Sequence, residues 1–213
     1  MTAQAITVAI TDGVPADEIG REAAKRLGFR YVNDEVITTA AQVAGVTPED
    51  IADVEHSRPL VERIIMALAR TATPSLEEVG VTSDFLPASA TDESPIYRDV
   101  IRQVLWKTGE AGKVVIGAHG ASIHLATMPN VLRVLVTGSP EVRATRLADS
   151  ASLPEREARR RVDHGDRERA AYLKRFYGVG RELPTHYDLV VNMDVLPVDA
   201  AVNVITAAAQ SMS

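Results

Sequence analysis

The chain has 213 residues, 46% hydrophobic and 24% charged, which fits one medium α/β domain, or a core with insertions, able to bury a sizeable interior. Its net charge of −6 excludes a global basic field that would draw it to nucleic acid or membrane, so basic residues matter only where they cluster. Zero cysteines exclude disulfides, thiolate metal sites and cysteine nucleophiles; with no signal-like start and no apolar run near the roughly 20 residues a bilayer needs, a soluble cytoplasmic protein is expected.

Ile6–Ile10 reads as a buried parallel strand. Gly13 and Pro15 punctuate a turn. Ile19, Ala23, Ala24 and Leu27 then fall at helical spacing, and Gly28 closes the helix. Phe29–Val32 is a short second strand, and Asp34–Val43 carries an apolar face. Thr47-Pro48-Glu49-Asp50 has the cap, proline and first-turn acids of a helix start. Leu60, Ile64, Ile65 and Leu68 mark another amphipathic helix. Thr71 to Pro95 has no sustained period and is rich in Ser, Thr, Pro and Asp, so it reads as a flexible loop.

Ile96–Ala111 is a helix and Lys113–Gly117 a third buried strand. Val131–Val136 is a fourth strand, followed by a turn and helix start at Thr137-Gly-Ser-Pro-Glu141. Pro154–Tyr177 is long, helical and arginine-rich with few apolar positions. Tyr187–Val191 is the fifth strand and Val198–Ala209 the last helix. Apolar faces such as Leu60–Leu68 or Val198–Ala209 belong either to the core or to a homodimer surface. Alternating strands and helices imply a parallel sheet covered on both faces, with ligands at the carboxyl ends of the strands. Gly13, Gly117 and Gly138 stand just past strand ends, where backbone approaches a ligand or where a βα turn needs glycine for geometry alone.

Two stretches carry candidate chemistry. The turn from Thr11 to Glu18 sits where an α/β protein would hold a phosphate. Such a turn works when glycines let backbone N–H groups converge on the anion, a lysine neutralises charge and a hydroxyl holds magnesium. Here Gly13 is followed by Val14, Pro15 and Ala16, Pro15 has no N–H, and the charged residues are Asp12, Asp17 and Glu18. By pattern this turn is not a P-loop. The second stretch is Arg156 to Arg175, where seven arginines and Lys174 gather in an acidic protein. It suits either a mobile arm folding over a polyanion or a solvated helix with internal pairs such as Glu157–Arg161. The histidines show no metal-ligand spacing, and Ser122 and Ser139 have no visible His–Asp partnership.

Asp166-Arg-Glu-Arg-Ala-Ala-Tyr-Leu-Lys-Arg-Phe-Tyr-Gly178, with Arg161 before it and Tyr187-Asp-Leu-Val-Val-Asn192 after it, resembles the cytidylate kinase-like proteins of the P-loop nucleoside monophosphate kinase group. Gly20–Tyr31 is similar to that family's IGR-LA-LGIPFYD segment, Glu35-Val-Ile to the REL-I that follows, and Pro140-Glu-Val-Arg143 to PLEVRI. The resemblance covers both ends and much of the middle, with Thr71–Pro95 unmatched. It implies a P-loop kinase-like five-stranded parallel sheet flanked by helices. The core would comprise about 1–45, 96–151 and 183–213, with a helical monophosphate-binding insertion at about 46–95 and an arginine-rich lid at about 152–182. The implied reaction is phosphoryl transfer from ATP, with Mg2+, to a nucleoside monophosphate such as CMP. Arg161 and Arg169 match lid positions, and Asp166 would orient one of them.

The family's G-S-G-G-R-E-I-G in the first turn is Gly13-Val-Pro-Ala-Asp-Glu-Ile-Gly20 here, which puts Asp17 at the basic position. A unit charge about 4 Å from another is worth on the order of 4 kcal/mol at an effective dielectric of about 20, so repulsion there would weaken ATP binding by orders of magnitude. The family's G-R-G-G after the third strand is Gly117-Ala-His-Gly120, with His119 either replacing some contacts or serving as an ordinary loop residue. The candidate ligand-binding residues are therefore Gly13, Asp17, Glu18, Gly117 and His119, beside Arg161, Asp166 and Arg169. The alternative is a catalytically inactive relative that keeps the fold to bind a nucleotide or other phosphorylated small molecule, without ATP chemistry. The acidic total argues against nucleic acid as a partner.

Overall fold

The computed structural model describes residues 2–33, 95–117 and 120–212. The elements expected between Asp34 and Leu68, the Thr71 loop and the monophosphate-binding insertion lie outside the described residues, apart from Pro95, as does His119.

In chain order the elements are β1 (Ala5–Ala9), α1 (Ala16–Leu27), β2 (Arg30–Asn33), α2 (Pro95–Ala111), β3 (Val114–Gly117) and α3 (Ala121–His124). They continue with β4 (Val131–Thr137), α4 (Pro140–Ala151), α5 (Glu155–Tyr177), a 3-10 turn at Pro184–His186, β5 (Leu189–Asn192) and α6 (Val198–Gln210). The strands form one sheet in the order β2-β3-β1-β4-β5, all parallel, as expected from the alternating pattern.

β1 is central and fully buried, which is why its five residues contain no charge. Its side chains alternate between two cores. Ile6 and Val8 pack with α1 and α6 residues such as Ile19, Ala23, Val202 and Ile205. Thr7 points the other way and bonds Ser122 of α3 at 2.8 Å, Oγ to Oγ. Each large apolar side chain buried this way contributes about 1.5–3 kcal/mol.

Helix ends follow local chemistry. α1 has Asp17 and Glu18 in its first turn and Lys25 and Arg26 in its last, matching the helix dipole, and Gly28 closes it at φ +67°. α4 starts at Ser139, whose hydroxyl accepts from the Val142 N–H, with Pro140 in the first turn.

The fifth strand begins later than its sequence suggests. Asp188 is drawn off by Arg133 of β4, which donates to it through its backbone N–H at 2.9 Å and through Nε and Nη2 at 3.0 and 2.6 Å. Tyr187 closes the 3-10 turn instead. α3 is a single turn, too short to leave a periodic signal.

Candidate functional site

The carboxyl ends of β1, β3 and β4 meet the turns that follow them, and α5 lies across those turns. Ala158, Val162 and Leu173 are buried apolar residues of this helix. Gly165, Asp166, Arg169 and Tyr177 continue the same face at spacings of three and four, so the middle of the inward face is polar. Gly165 is the point of closest approach: a Cβ built on it would stand 2.0 Å from Asp12 Oδ2 in the first turn. No other residue type would let the helix lie this close without moving Asp12.

Arg143 ties three segments together beneath that contact. Its side chain is buried, and Nε donates to the Gly138 carbonyl at 3.0 Å while Nη1 donates to the Asp12 carbonyl at 3.2 Å. Both terminal nitrogens grip Asp166 of α5, at 2.9 and 2.5 Å. A guanidinium satisfies this set because its donors lie in one plane and point to separate acceptors. Gly13, at φ +79°, fits against the same residue, since a Cβ there would be 2.3 Å from the Arg143 carbonyl oxygen.

Arg169 is the second anchor. Its Nε and Nη2 take both oxygens of Glu182, at 2.8 and 2.6 Å, and Nη1 donates to the Ile10 carbonyl at 3.1 Å. Tyr187 also donates to Glu182 and accepts from Arg169 at 3.2 Å. Burial pushes the Glu182 carboxyl up, but hydrogen bonds and charge from Arg169 outweigh it and hold the group below its ordinary value. Burial, then the bond to Glu182, raises the Tyr187 hydroxyl. Arg169 stays protonated for the converse reason: burial disfavours its charge and Glu182 more than restores it.

The third anchor is Tyr177 at the end of α5. Its hydroxyl bonds His124 Nε2 at 2.8 Å, and the two rings meet edge to face at 4.9 Å. Gly120, at φ +77°, accommodates this ring, for a Cβ there would be 2.4 Å from the Tyr177 oxygen. Burial, followed by the nearby Arg102 charge, depresses the His124 imidazole to about 4.

Asp17 forms a separate cluster toward β2. Its Oδ1 accepts from Tyr31 Oη at 2.6 Å and Asn33 Nδ2 at 3.2 Å, and Oδ2 accepts from Arg21 Nε at 2.9 Å. Burial raises this carboxyl, yet the three donors and the Arg21 charge together keep it below its ordinary value. Tyr31 reaches Asp17 because Gly20 and Gly117 leave room: added Cβ atoms would sit 2.5 Å and 2.2 Å from its Cε2 and Oη. A cavity of about 520 Å³ beside this cluster is lined by Asp17, Glu18, Arg21, Glu22, Val198 and Asp199. Four carboxylates against one guanidinium make it unsuited to a polyanion.

A model of the cytidylate kinase-like family matches residues 5–195. The chain belongs to this family. Its fold is that of P-loop kinase-like proteins, and two solved structures are similar to it. An uncharacterised protein from Eubacterium ventriosum is 15% identical with a TM-score of 0.63, covering 96% of this chain and 97% of its own. Shikimate kinase from Bacteroides thetaiotaomicron is 14% identical with a TM-score of 0.50, covering 96% of each chain. No curated protein matches the sequence.

Against the pattern of the cytidylate kinase-like family, the expected residues separate into three groups. Asp166 and Arg169 come together with Gly13 at the β1–α1 turn. Asp17 and Gly117 meet each other through Tyr31, while Glu18 is exposed on α1. Arg161 faces solvent and pairs with Glu157 at 2.9 Å, the internal pair foreseen for a solvated helix. One expectation is corrected: Asp166 orients Arg143 of α4, not a lid arginine, because Arg169 is already held by Glu182. Arg143, Glu182 and Tyr187 are the residues whose roles sequence reasoning missed. Arg143 and Tyr187 stand inside the matched Pro140–Arg143 and Tyr187–Asn192 segments, which was the available signal; Glu182 had none.

Proposed function

We propose that the protein is a phosphotransferase of nucleoside monophosphate kinase type, moving the γ-phosphoryl group of ATP to a monophosphate such as CMP. In that reaction an acceptor phosphate oxygen bonds to the γ-phosphorus as its bond to the β-phosphate oxygen breaks, and ADP leaves. The observation that carries the reading is Arg169, whose Nη1 rests on the Ile10 carbonyl at 3.1 Å, at the mouth of a turn with no cation of its own. From Ile10 to Gly20 the sequence contains no lysine or arginine, and among the described residues Arg143 of α4 and Arg169 of α5 reach its carbonyls.

Phosphoryl transfer needs little covalent help from a protein; positioning and compensation of charge on the phosphate oxygens are the main tasks. Arg169 would supply a planar donor pair for those oxygens in place of Glu182, and Arg143 positions α5 by fixing Asp166 against the Asp12 carbonyl. Magnesium typically uses one or two carboxylates plus the phosphates themselves, and Asp12 and Glu18 are exposed carboxylates on this turn and the helix start after it. The ion would neutralise part of the charge shared by the β- and γ-phosphates.

A second reading, binding without transfer, is favoured by Asp17 and Pro15. A carboxylate held ionised at the start of α1 and a missing N–H both weaken the turn for a triphosphate. Thermal shift with Mg·ATP, CMP and other monophosphates, followed by coupled ADP release, separates the two. Turnover with CMP supports transfer. Stabilisation by a monophosphate with no ADP formed supports the binding relative, and no response to any nucleotide sinks both.

A further inference from the structure

We propose that Glu182 is an internal competitor for the anion that Arg169 receives, an autoinhibitory contact that a phosphate group must displace. The proposal rests on the reading of Arg169 as the cation of the site. Glu182 meets Arg169 on both prongs, Nε and Nη2, at 2.8 and 2.6 Å, which is how a guanidinium takes a phosphate. Arg169 also donates from Nη1 to the Ile10 carbonyl and from Nη2 to the Tyr187 hydroxyl, and neither bond involves Glu182. Release of the carboxylate would therefore leave the arginine at the turn with Nε open and Nη2 facing the Tyr187 hydroxyl alone.

The segment carrying Glu182 is suited to such a release. It lies between the end of α5 at Tyr177 and the 3-10 turn at Pro184, outside any helix or strand. Gly178 and Gly180 precede it, and among the described residues no atom stands within 4 Å of where a Cβ would be on either. Gly178 caps α5 through its N–H to the Lys174 carbonyl at 3.2 Å, so backbone rotation at little cost in contacts belongs to Gly180. By contrast Asp166, the other carboxylate against an arginine here, is fixed within α5.

Charge favours exchange. Glu182 brings one negative charge, whereas a terminal phosphate brings nearly two and more acceptor oxygens. Around Glu182 stand Arg169, the Tyr187 hydroxyl and His186, and all three favour its ionised form, so it competes fully at neutral pH. A ligand that binds only the released state sees its affinity reduced by the fraction of molecules in that state.

The test is isothermal titration of the full chain with inorganic tripolyphosphate and with Mg·ATP. Glu182→Gln keeps size and an acceptor for Tyr187 but removes the charge, and is expected to bind tripolyphosphate about tenfold tighter or more. Adding Arg169→Ala should abolish that gain. Glu182→Asp, which keeps the charge on a shorter arm, should give a smaller gain and decides the matter if Glu182→Gln does not fold. A folded Glu182→Gln protein that binds no tighter than wild type overturns the proposal while leaving the phosphotransferase reading standing. Absence of binding to wild type and every variant overturns both.

Discussion

Arg143 and Arg169 stand at the same sheet edge, each with a carboxylate across both prongs and a turn carbonyl on a third donor, yet they differ in what carries the acid. Arg143 belongs to α4, its side chain is 5% exposed, and its partner Asp166 is a rigid part of α5. Arg169 belongs to α5, and its partner Glu182 hangs on a glycine-flanked segment. The first pair joins two helices and has nothing to gain by opening. The second joins a helix to a replaceable anion. Two bidentate arginine–carboxylate pairs thus support two roles, a rivet and a latch, distinguished by the stiffness of the partner's backbone.

The largest effect should come from breaking the rivet. Arg143→Ala leaves Asp166 and two carbonyls without their donor; because Asp166 is 40% exposed, the loss should fall near the lower end for buried pairs, about 3 kcal/mol. Urea denaturation measures it. Arg169→Ala should cost clearly less, since Glu182 can swing to water. Equal losses would remove the distinction between the two pairs.

Gly13→Ala attacks the same rivet through the backbone. It requires a non-glycine residue at φ +79° and places a methyl group 2.3 Å from the Arg143 carbonyl oxygen. That atom is main chain and cannot rotate aside, so a loss of about 2–3 kcal/mol is expected from the same measurement. Gly165→Ala should be milder, because the atom it meets is the end of the Asp12 side chain. A mild Gly13→Ala would show that the turn is not clamped against α4.

How much of this was legible in the sequence depends on range. All five strands were readable because apolar, β-branched runs such as Val114–Ile116 and Val131–Val136 are local signals; only their ends shifted, at β5 because Arg133 captures Asp188. The family was readable from the Asp166–Gly178 and Tyr187–Asn192 segments. The inward face of α5 was not, because the run of exterior arginines hides the spacing of Ala158, Val162 and Leu173. Arg143 finds its partners 23 and 131 residues away, and no local pattern encodes such distances. Gly117 was visible as a glycine at a strand end, but not that the Tyr31 hydroxyl fills the space it leaves.

The third anchor depends on a proton, as neither arginine pair does near neutrality. His124 titrates at about 4 when folded against an ordinary 6.5, so between those values the unfolded chain binds the extra proton. Stability from this group is therefore complete above pH 6.5 and is lost as pH falls toward 4. The full shift corresponds to about 3 kcal/mol, and screening of the partly exposed ring brings this to about 2 kcal/mol. Glu182, held below its ordinary 4.5, contributes its stability above that value and loses it only as pH falls further, below most of the His124 window. Melting temperature against pH should slope from 6.5 to 4 in wild type and flatten in His124→Gln. An unchanged slope in the variant would place the titrating group elsewhere.

The smallest effect is expected at Arg161, and it matters because this residue matched a family lid position. Its guanidinium is on the outer face of α5, 55% exposed, and pairs with Glu157 one turn away. Such pairs on a helix surface are worth about 0.3–0.5 kcal/mol, so Arg161→Ala should leave urea midpoints nearly unchanged. Its effect on tripolyphosphate binding should be equally small while α5 keeps this orientation, since the side chain points away from the turn that Arg169 reaches. A binding loss in Arg161→Ala approaching that of Arg169→Ala would mean that α5 rotates when the anion arrives, bringing its outer face to the site. In that case Asp166 would have to leave Arg143, and the rivet would be a second latch.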